Sequence, residues 1–111
     1  MERKYAEFAA TKACELLAID SPSGYTRKAA TWVKEAFEAL GFAAKITTKG
    51  GVLADLGGAD KDDALFLQAH TDTLGAMVAE IKANGRLKLT PLGGLRAENA
   101  ETENVRIHTR T

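Results

Sequence analysis

The sequence predicts an α/β fold, with two amino-terminal helices lying on a mixed sheet and a small β-rich region after them. Three observations carry this. Apolar residues recur at three- and four-residue spacing over residues 3–40, the period falls to two after Gly41, and glycine-bearing turns separate the later apolar runs.

Phe8, Ala9, Ala13, Leu16 and Leu17 form one apolar stripe, which predicts a helix over residues 3–18. Cys14 lies on it among alanines and is expected to be a buried or semi-buried thiol, because a free cysteine packs like a small hydrophobe. Asp20-Ser21-Pro22-Ser23-Gly24 breaks the pattern: Pro22 restricts its neighbour and Gly24 permits unusual backbone angles. A second stripe of Ala29, Ala30, Val33, Phe37 and Leu40 predicts a helix over 26–40. Thr26 is the expected N-cap, its hydroxyl accepting from a free amide, and Gly41 fits the left-handed position that closes a helix. Trp32, just off the main stripe, reads as a flank packing residue rather than a ligand-stacking platform.

Phe42, Ala44 and Ile46 alternate with Ala43, Lys45 and Thr47, the pattern of a half-buried strand over 42–48. Lys49-Gly50-Gly51 makes a turn, and residues 51–56 read as its hairpin partner. The polar stretch from Gly57 to Asp63 lacks the ligand spacing and closing Glu of a calcium loop and reads as a solvated turn. Ala64-Leu65-Phe66-Leu67 is a continuous apolar run, expected to be a strand over 64–70 covered on both faces. Beyond it, Gly75–Ala83 and Arg86–Thr90 flank Asn84-Gly85, a strong hairpin signal. Glu98, Glu101 and Glu103 read as a solvated loop. Val105, Ile107 and Thr109 alternate within Asn104–Thr111, predicting a last strand with His108 on its opposite, solvated side. A strand ending a chain leaves an unpaired edge, so the sequence is expected to be truncated.

Composition removes several function classes. The chain has 111 residues, 45 % hydrophobic and 27 % charged, with a formal net charge of zero. No Lys/Arg cluster is longer than a pair, which argues against a nucleic-acid surface. Its apolar runs fall far short of the roughly 20 residues a membrane helix needs. Met1-Glu2-Arg3-Lys4 leads into an amphipathic pattern rather than an apolar signal core, so a cytoplasmic location is expected. The single cysteine cannot form an internal disulfide.

Chemistry enters at Gln68-Ala69-His70-Thr71-Asp72-Thr73-Leu74-Gly75. In extended backbone, His70 and Asp72 point to the same side. A neutral imidazole is a good zinc ligand, and a nearby carboxylate can hold its ring in the needed tautomer. His-x-Asp alone arises often by chance, so on the motif His70 remains either a metal ligand or a satisfied structural histidine.

The longer stretch Ala69-His70-Thr71-Asp72-Thr73-Leu74-Gly75-Ala76-Met77-Val78, followed by Glu80-Ile81 and Asn84-Gly85-Arg86-Leu87, resembles the glutamyl aminopeptidase and endoglucanase-like metallopeptidases, the group of the tetrahedral aminopeptidases. Ser21-Pro22-Ser23-Gly24-Tyr25 resembles the family's Pro-Ser-Gly turn between its first two helices. Leu89-Thr90-Pro91-Leu92-Gly93-Gly94 resembles the segment running to a Gly-Gly in its inserted domain. One departure is visible: the family usually reads His-x-Asp-Glu-Ile-Gly, and Thr73 and Leu74 stand in place of Glu and Ile.

The resemblance implies the start of a zinc-peptidase α/β/α domain over residues 1–75 and the beginning of an inserted β (dimerisation) domain over 76–111. It further implies an enzyme with two divalent metal ions, zinc or cobalt, that removes amino-terminal residues from peptide substrates. Two such ions can share a bridging hydroxide and polarise the scissile carbonyl. His70 matches the family's metal-binding histidine and Asp72 the catalytic carboxylate that supports it. The implied partners are peptides and copies of the protein, a homo-oligomer built from dimers up to a dodecamer, with neither nucleic acid nor membrane. A catalytic metal needs about three protein ligands, so the chain by itself is expected to be inactive. Two alternatives stand beside this: a non-catalytic association fragment, and a piece of a related aminoacylase or carboxypeptidase-like metallohydrolase.

Overall fold

Helix α1 spans Arg3–Leu17 and helix α2 spans Arg27–Ala39 in a computed structural model that describes residues 2–60 and 62–109. Two compact units divide the chain, the first ending at Thr73 and the second beginning at Leu74. In the first, element order is α1, α2, β1 (Ala43–Ile46) and β2 (Val52–Asp55). The second holds β3 (Gly75–Ile81), β4 (Leu87–Leu92) and a short 3-10 turn at Ala97–Asn99. Helices and small antiparallel sheets thus make the mixed α/β class expected from the change of period.

Helix α2 carries the core. Ala29 and Ala30 are the buried hydrophobic residues among those described, and their small side chains let the helix approach β1 and β2 closely. The helix ends as its sequence dictates. Gly41 takes φ +88, its amide donates to the Glu38 carbonyl at 2.9 Å, and the Phe42 amide donates to Phe37 at 3.1 Å. These two bonds form the left-handed closure that favours glycine. The start differs from expectation. Thr26 holds the N-cap position but its hydroxyl makes no cap bond, because its backbone (φ -98, ψ -3) is already helical rather than extended.

Helix α1 meets α2 only lightly; Lys12 Nζ sits 5.6 Å from the Trp32 ring centre, which gives Trp32 its flank-packing role. No described residue of α1 is buried, and Cys14 is exposed, contrary to the expected buried thiol. Phe8 and Leu17 on this stripe are exposed, so periodicity outlines a face that remains largely uncovered.

Both hairpins turn the same way. Thr47 pairs with Gly51 (Thr47 N to Gly51 O 2.7 Å), and the Gly50 amide donates back to Thr47 O at 2.9 Å. Lys82 and Arg86 repeat this with Gly85, at 2.8 and 2.9 Å. Gly50 and Gly85 are left-handed, at φ +86 and +79. Asn84 therefore does not share a two-residue left-handed turn with Gly85; it occupies the turn before the left-handed residue, a common three-residue loop. Its side chain accepts from the Arg86 amide at 3.1 Å. Strand β3 carries a bulge between Val78 and Glu80, after which Glu80 faces Lys88, an opposite-charge cross-strand pair.

The strands expected over 64–70 and from Asn104 onward are absent among the described residues. A strand exists only through its ladder, and neither segment forms one among the described residues. Residues 64–67 keep their apolar character in the open, with Leu65 85 % exposed. Val105 and Ile107 are likewise exposed. Arg110 and Thr111, the last residues of the expected terminal strand, lie outside the described residues, as does Lys61 of the polar loop. His108, Glu98, Glu101 and Glu103 are all exposed, as expected of solvated positions.

Candidate functional site

A turn between the two helices grips the chain just before the first unit ends. Pro22 and Thr73 form a parallel bridge, with the Thr73 amide donating to the Ser21 carbonyl at 3.0 Å. The Ser21 hydroxyl donates to the Thr71 carbonyl at 2.7 Å, and the Ser21 amide reaches Thr73 Oγ1 at 3.4 Å. Ser21 is 1 % exposed, the only buried polar residue among those described. Burial strengthens the case that its hydroxyl bond matters, since an unpaired buried hydroxyl carries a desolvation cost.

This grip sets the peptide between Thr71 and Thr73, and Asp72 lies at its centre. Asp72 Oδ1 is 2.9 Å from His70 Nδ1, and its other oxygen, Oδ2, accepts from the Ser23 hydroxyl at 3.3 Å. The first of these is a full hydrogen bond and the second a long one. The structure thus brings together both residues singled out by the motif, although among the described residues no ladder holds 64–70 extended.

The electrostatics agree with the geometry. The hydrogen bond from His70 is the largest influence on the Asp72 carboxyl. Desolvation opposes it, and the Asp72 backbone, the His70 charge and Ser23 add to it, leaving the carboxyl below its ordinary value. An ionised carboxylate only accepts, so in the neutral ring Nδ1 carries the hydrogen and Nε2 presents its lone pair. The imidazole is 87 % exposed and the Asp72 side chain 46 %, so that nitrogen is open to a ligand. A carboxylate on one ring nitrogen and a free lone pair on the other is the arrangement of a metal-binding histidine. The donor set therefore fits a divalent metal at one ligand. Among the described residues no group of three or more His, Cys, Asp or Glu could hold an ion, so the other ligands are not supplied there.

A hollow of about 500 Å³ in the same unit is lined by Tyr25, Thr26, Arg27, Ile46, Thr47 and Thr48, and neither His70 nor Asp72 borders it. The site stands on open surface instead. Ser21, Ser23, Thr71 and Thr73 were not singled out for chemistry by sequence reasoning; Ser21 and Ser23 were read only as parts of a turn. The available signal was a turn already satisfied by Pro22 and Gly24, which leaves two hydroxyls with no local duty. No described helix is long and apolar enough to cross a membrane.

The family model described as M42 glutamyl aminopeptidase matches residues 50–111, more than half of the chain. Aminopeptidase YhfE of Bacillus subtilis (strain 168) is 41 % identical over 95 residues, 86 % of this chain and 28 % of that protein. The glutamyl aminopeptidase of Lactococcus lactis subsp. cremoris (strain MG1363) is 27 % identical over 97 residues, 86 % of this chain and 27 % of that protein. The chain thus spans little more than a quarter of the length of these curated relatives.

Proposed function

The chain belongs to the M42 glutamyl aminopeptidase family, and from that premise we propose that it is the amino-terminal part of a metal-dependent aminopeptidase acting on the amino-terminal residues of peptides. The observation that supports this most is the 2.9 Å contact between Asp72 Oδ1 and His70 Nδ1, which leaves Nε2 facing outward. In this reading His70 binds one of two divalent ions, zinc or cobalt, and Asp72 fixes the ring tautomer and raises its basicity. Bound ions would activate water and polarise the scissile carbonyl. Residues 76–111 are the beginning of an inserted β-domain in the same reading, and a cytoplasmic location belongs with it.

Ligand count makes the chain inactive alone, because catalytic sites take about three protein ligands and His70 is one. The test replaces the matched stretch of the Bacillus subtilis relative with this chain and assays amino-acid anilides with added zinc or cobalt. The expected outcome is turnover by the chimera, none by the isolated chain, and loss of metal and activity in His70→Ala. Asp72→Asn should weaken metal binding by about 10- to 100-fold. Full metal occupancy and full activity in a folded His70→Ala chimera would sink the reading.

Self-association is part of the same proposal. Met77, Ile81 and Leu89 are exposed on the β3–β4 hairpin, and burying a side chain of that size is worth roughly 1.5–3 kcal/mol. Size-exclusion chromatography with light scattering should show dimers or larger species, and a stable monomer at high concentration refutes this part.

A further inference from the structure

We infer that Ser21 and Ser23 are positioning residues for the His70–Asp72 pair: the turn between the helices orients the imidazole before any ligand arrives. The inference rests on the metallopeptidase reading only for its purpose, since the contacts themselves stand without it. Ser21 touches neither His70 nor Asp72. It acts through the backbone on both sides of Asp72, donating its hydroxyl to Thr71 O at 2.7 Å and accepting from the Thr73 amide at 3.0 Å. These bonds span about fifty residues of chain, with a separation of 50 for the hydroxyl bond. Ser23 then takes Asp72 Oδ2 at 3.3 Å, which turns Oδ1 toward His70 Nδ1.

The arrangement has a physical reason. His70 and Asp72 are both exposed, residues 64–70 form no ladder among the described residues, and the Asp72 contact is what holds the exposed imidazole. Ligands that are not held in place before binding lose affinity, because each must be ordered on binding. Among the described residues Ser21 is the one buried polar residue, and it is bonded across to the motif, so it is the rigid end of the chain of contacts. Its hydroxyl bond is short and the Ser23 bond is long, which ranks their effects. Ser21 fixes where Asp72 stands; Ser23 trims which oxygen faces the ring.

The experiment reads His70 directly in the full 111-residue chain, without metal, by two-bond ¹H–¹⁵N correlation of the imidazole nitrogens at a pH where the ring is neutral. The natural chain should show the Nδ1–H tautomer in excess. Asp72→Asn, as reference, should abolish that excess. Ser21→Ala should shrink it by about two- to tenfold, the population effect of one hydrogen bond, and Ser23→Ala by less. Ser21→Thr, which keeps the hydroxyl, should restore it, a rescue that a purely space-filling role for Ser21 would not produce. Amide spectra of α2 and β1–β2 report whether each variant is folded. A folded Ser21→Ala chain with an unchanged tautomer overturns the inference. If Ser21→Ala does not fold, an unchanged tautomer in Ser23→Ala overturns it instead.

The two readings separate cleanly. If the tautomer responds but the His70→Ala chimera keeps its activity, the metal reading fails and the positioning role stands. If the tautomer is indifferent while His70→Ala loses metal, the positioning role fails alone.

Discussion

Hairpins β1–β2 and β3–β4 are built to one local plan and meet different fates. Each closes through a pair of bonds around a left-handed glycine, Gly50 in one and Gly85 in the other. The first lies against α2, where Ala29 and Ala30 are buried, so Ala44, Val52 and Ala54 are half covered. The second is longer and better supplied with apolar side chains, yet Ile81 is 74 % exposed and Met77 and Leu89 are also in solvent. Hairpin formation is thus a property of turn chemistry and alternation, whereas burial depends on whether another element supplies a face. Two strands without such a face are marginally stable in water.

Placing a carboxylate on the covered side should break the comparison most strongly. Ala29→Asp buries an unpaired charge between α2 and the first hairpin and should cost more than about 3 kcal/mol, enough to unfold the first unit. The cross-peaks of β3–β4 should survive in an amide correlation spectrum. Loss of both sets together would show that the hairpins do not have independent origins of stability.

The turns come next. Gly50→Ala and Gly85→Ala each force an L-residue into left-handed backbone, at about 1–2 kcal/mol; an added Cβ meets nothing within 4 Å at either position, so the cost is conformational alone. Equal intrinsic costs should have unequal results under hydrogen exchange. The β3–β4 amides should lose most of their protection, while those of β1–β2 are buffered by α2. Equal loss in the two would mean that the α2 contact adds little.

A smaller effect is expected from Ile81→Asp, the counterpart of Ala29→Asp on the uncovered hairpin. With its side chain already in water, it should change stability by less than about 1 kcal/mol in denaturant titration. It should also weaken self-association, which sharpens the assignment of those residues to an interface.

The subtlest prediction concerns pH and stays within the first unit. The carboxyl of Asp72 sits below its ordinary value chiefly through the His70 hydrogen bond. A depressed folded value means that its contribution is present above the unfolded aspartate value and is lost as pH falls through the folded one. Carboxyl carbon shifts should therefore show Asp72 titrating below the ordinary aspartate value, with His70 signals moving in step and β3–β4 signals still. Asp72 titrating at the ordinary aspartate value would remove the electrostatic support for the pair.

Particular residues show how far the sequence could be read. The stripe Ala29–Ala30–Val33–Phe37 with Gly41 after it gave α2 within a residue at each end, because period and closure are both local. The hairpins came from Gly50 and Gly85 for the same reason. His70 and Asp72, two residues apart, were found by spacing and are in contact. Family membership was legible too, from motifs whose order is written in the chain. What misled were segments whose state depends on distant partners. Leu65-Phe66-Leu67 has the composition of a buried strand but finds no ladder among the described residues, and Cys14 follows an apolar stripe that little covers.

By itself the sequence determined the helices, their ends, the two turns and the candidate pair, since each depends on dihedral preference or on spacing along a few residues. Only the tertiary structure decided that Ser21 should be buried and bonded to Thr71, that Ser23 should face Asp72, and that one hairpin should be covered and the other left open. Hydrogen bonds across fifty residues leave no periodic trace in a sequence. They are set by which faces happen to meet, and that is a property of packing rather than of any local run of side chains.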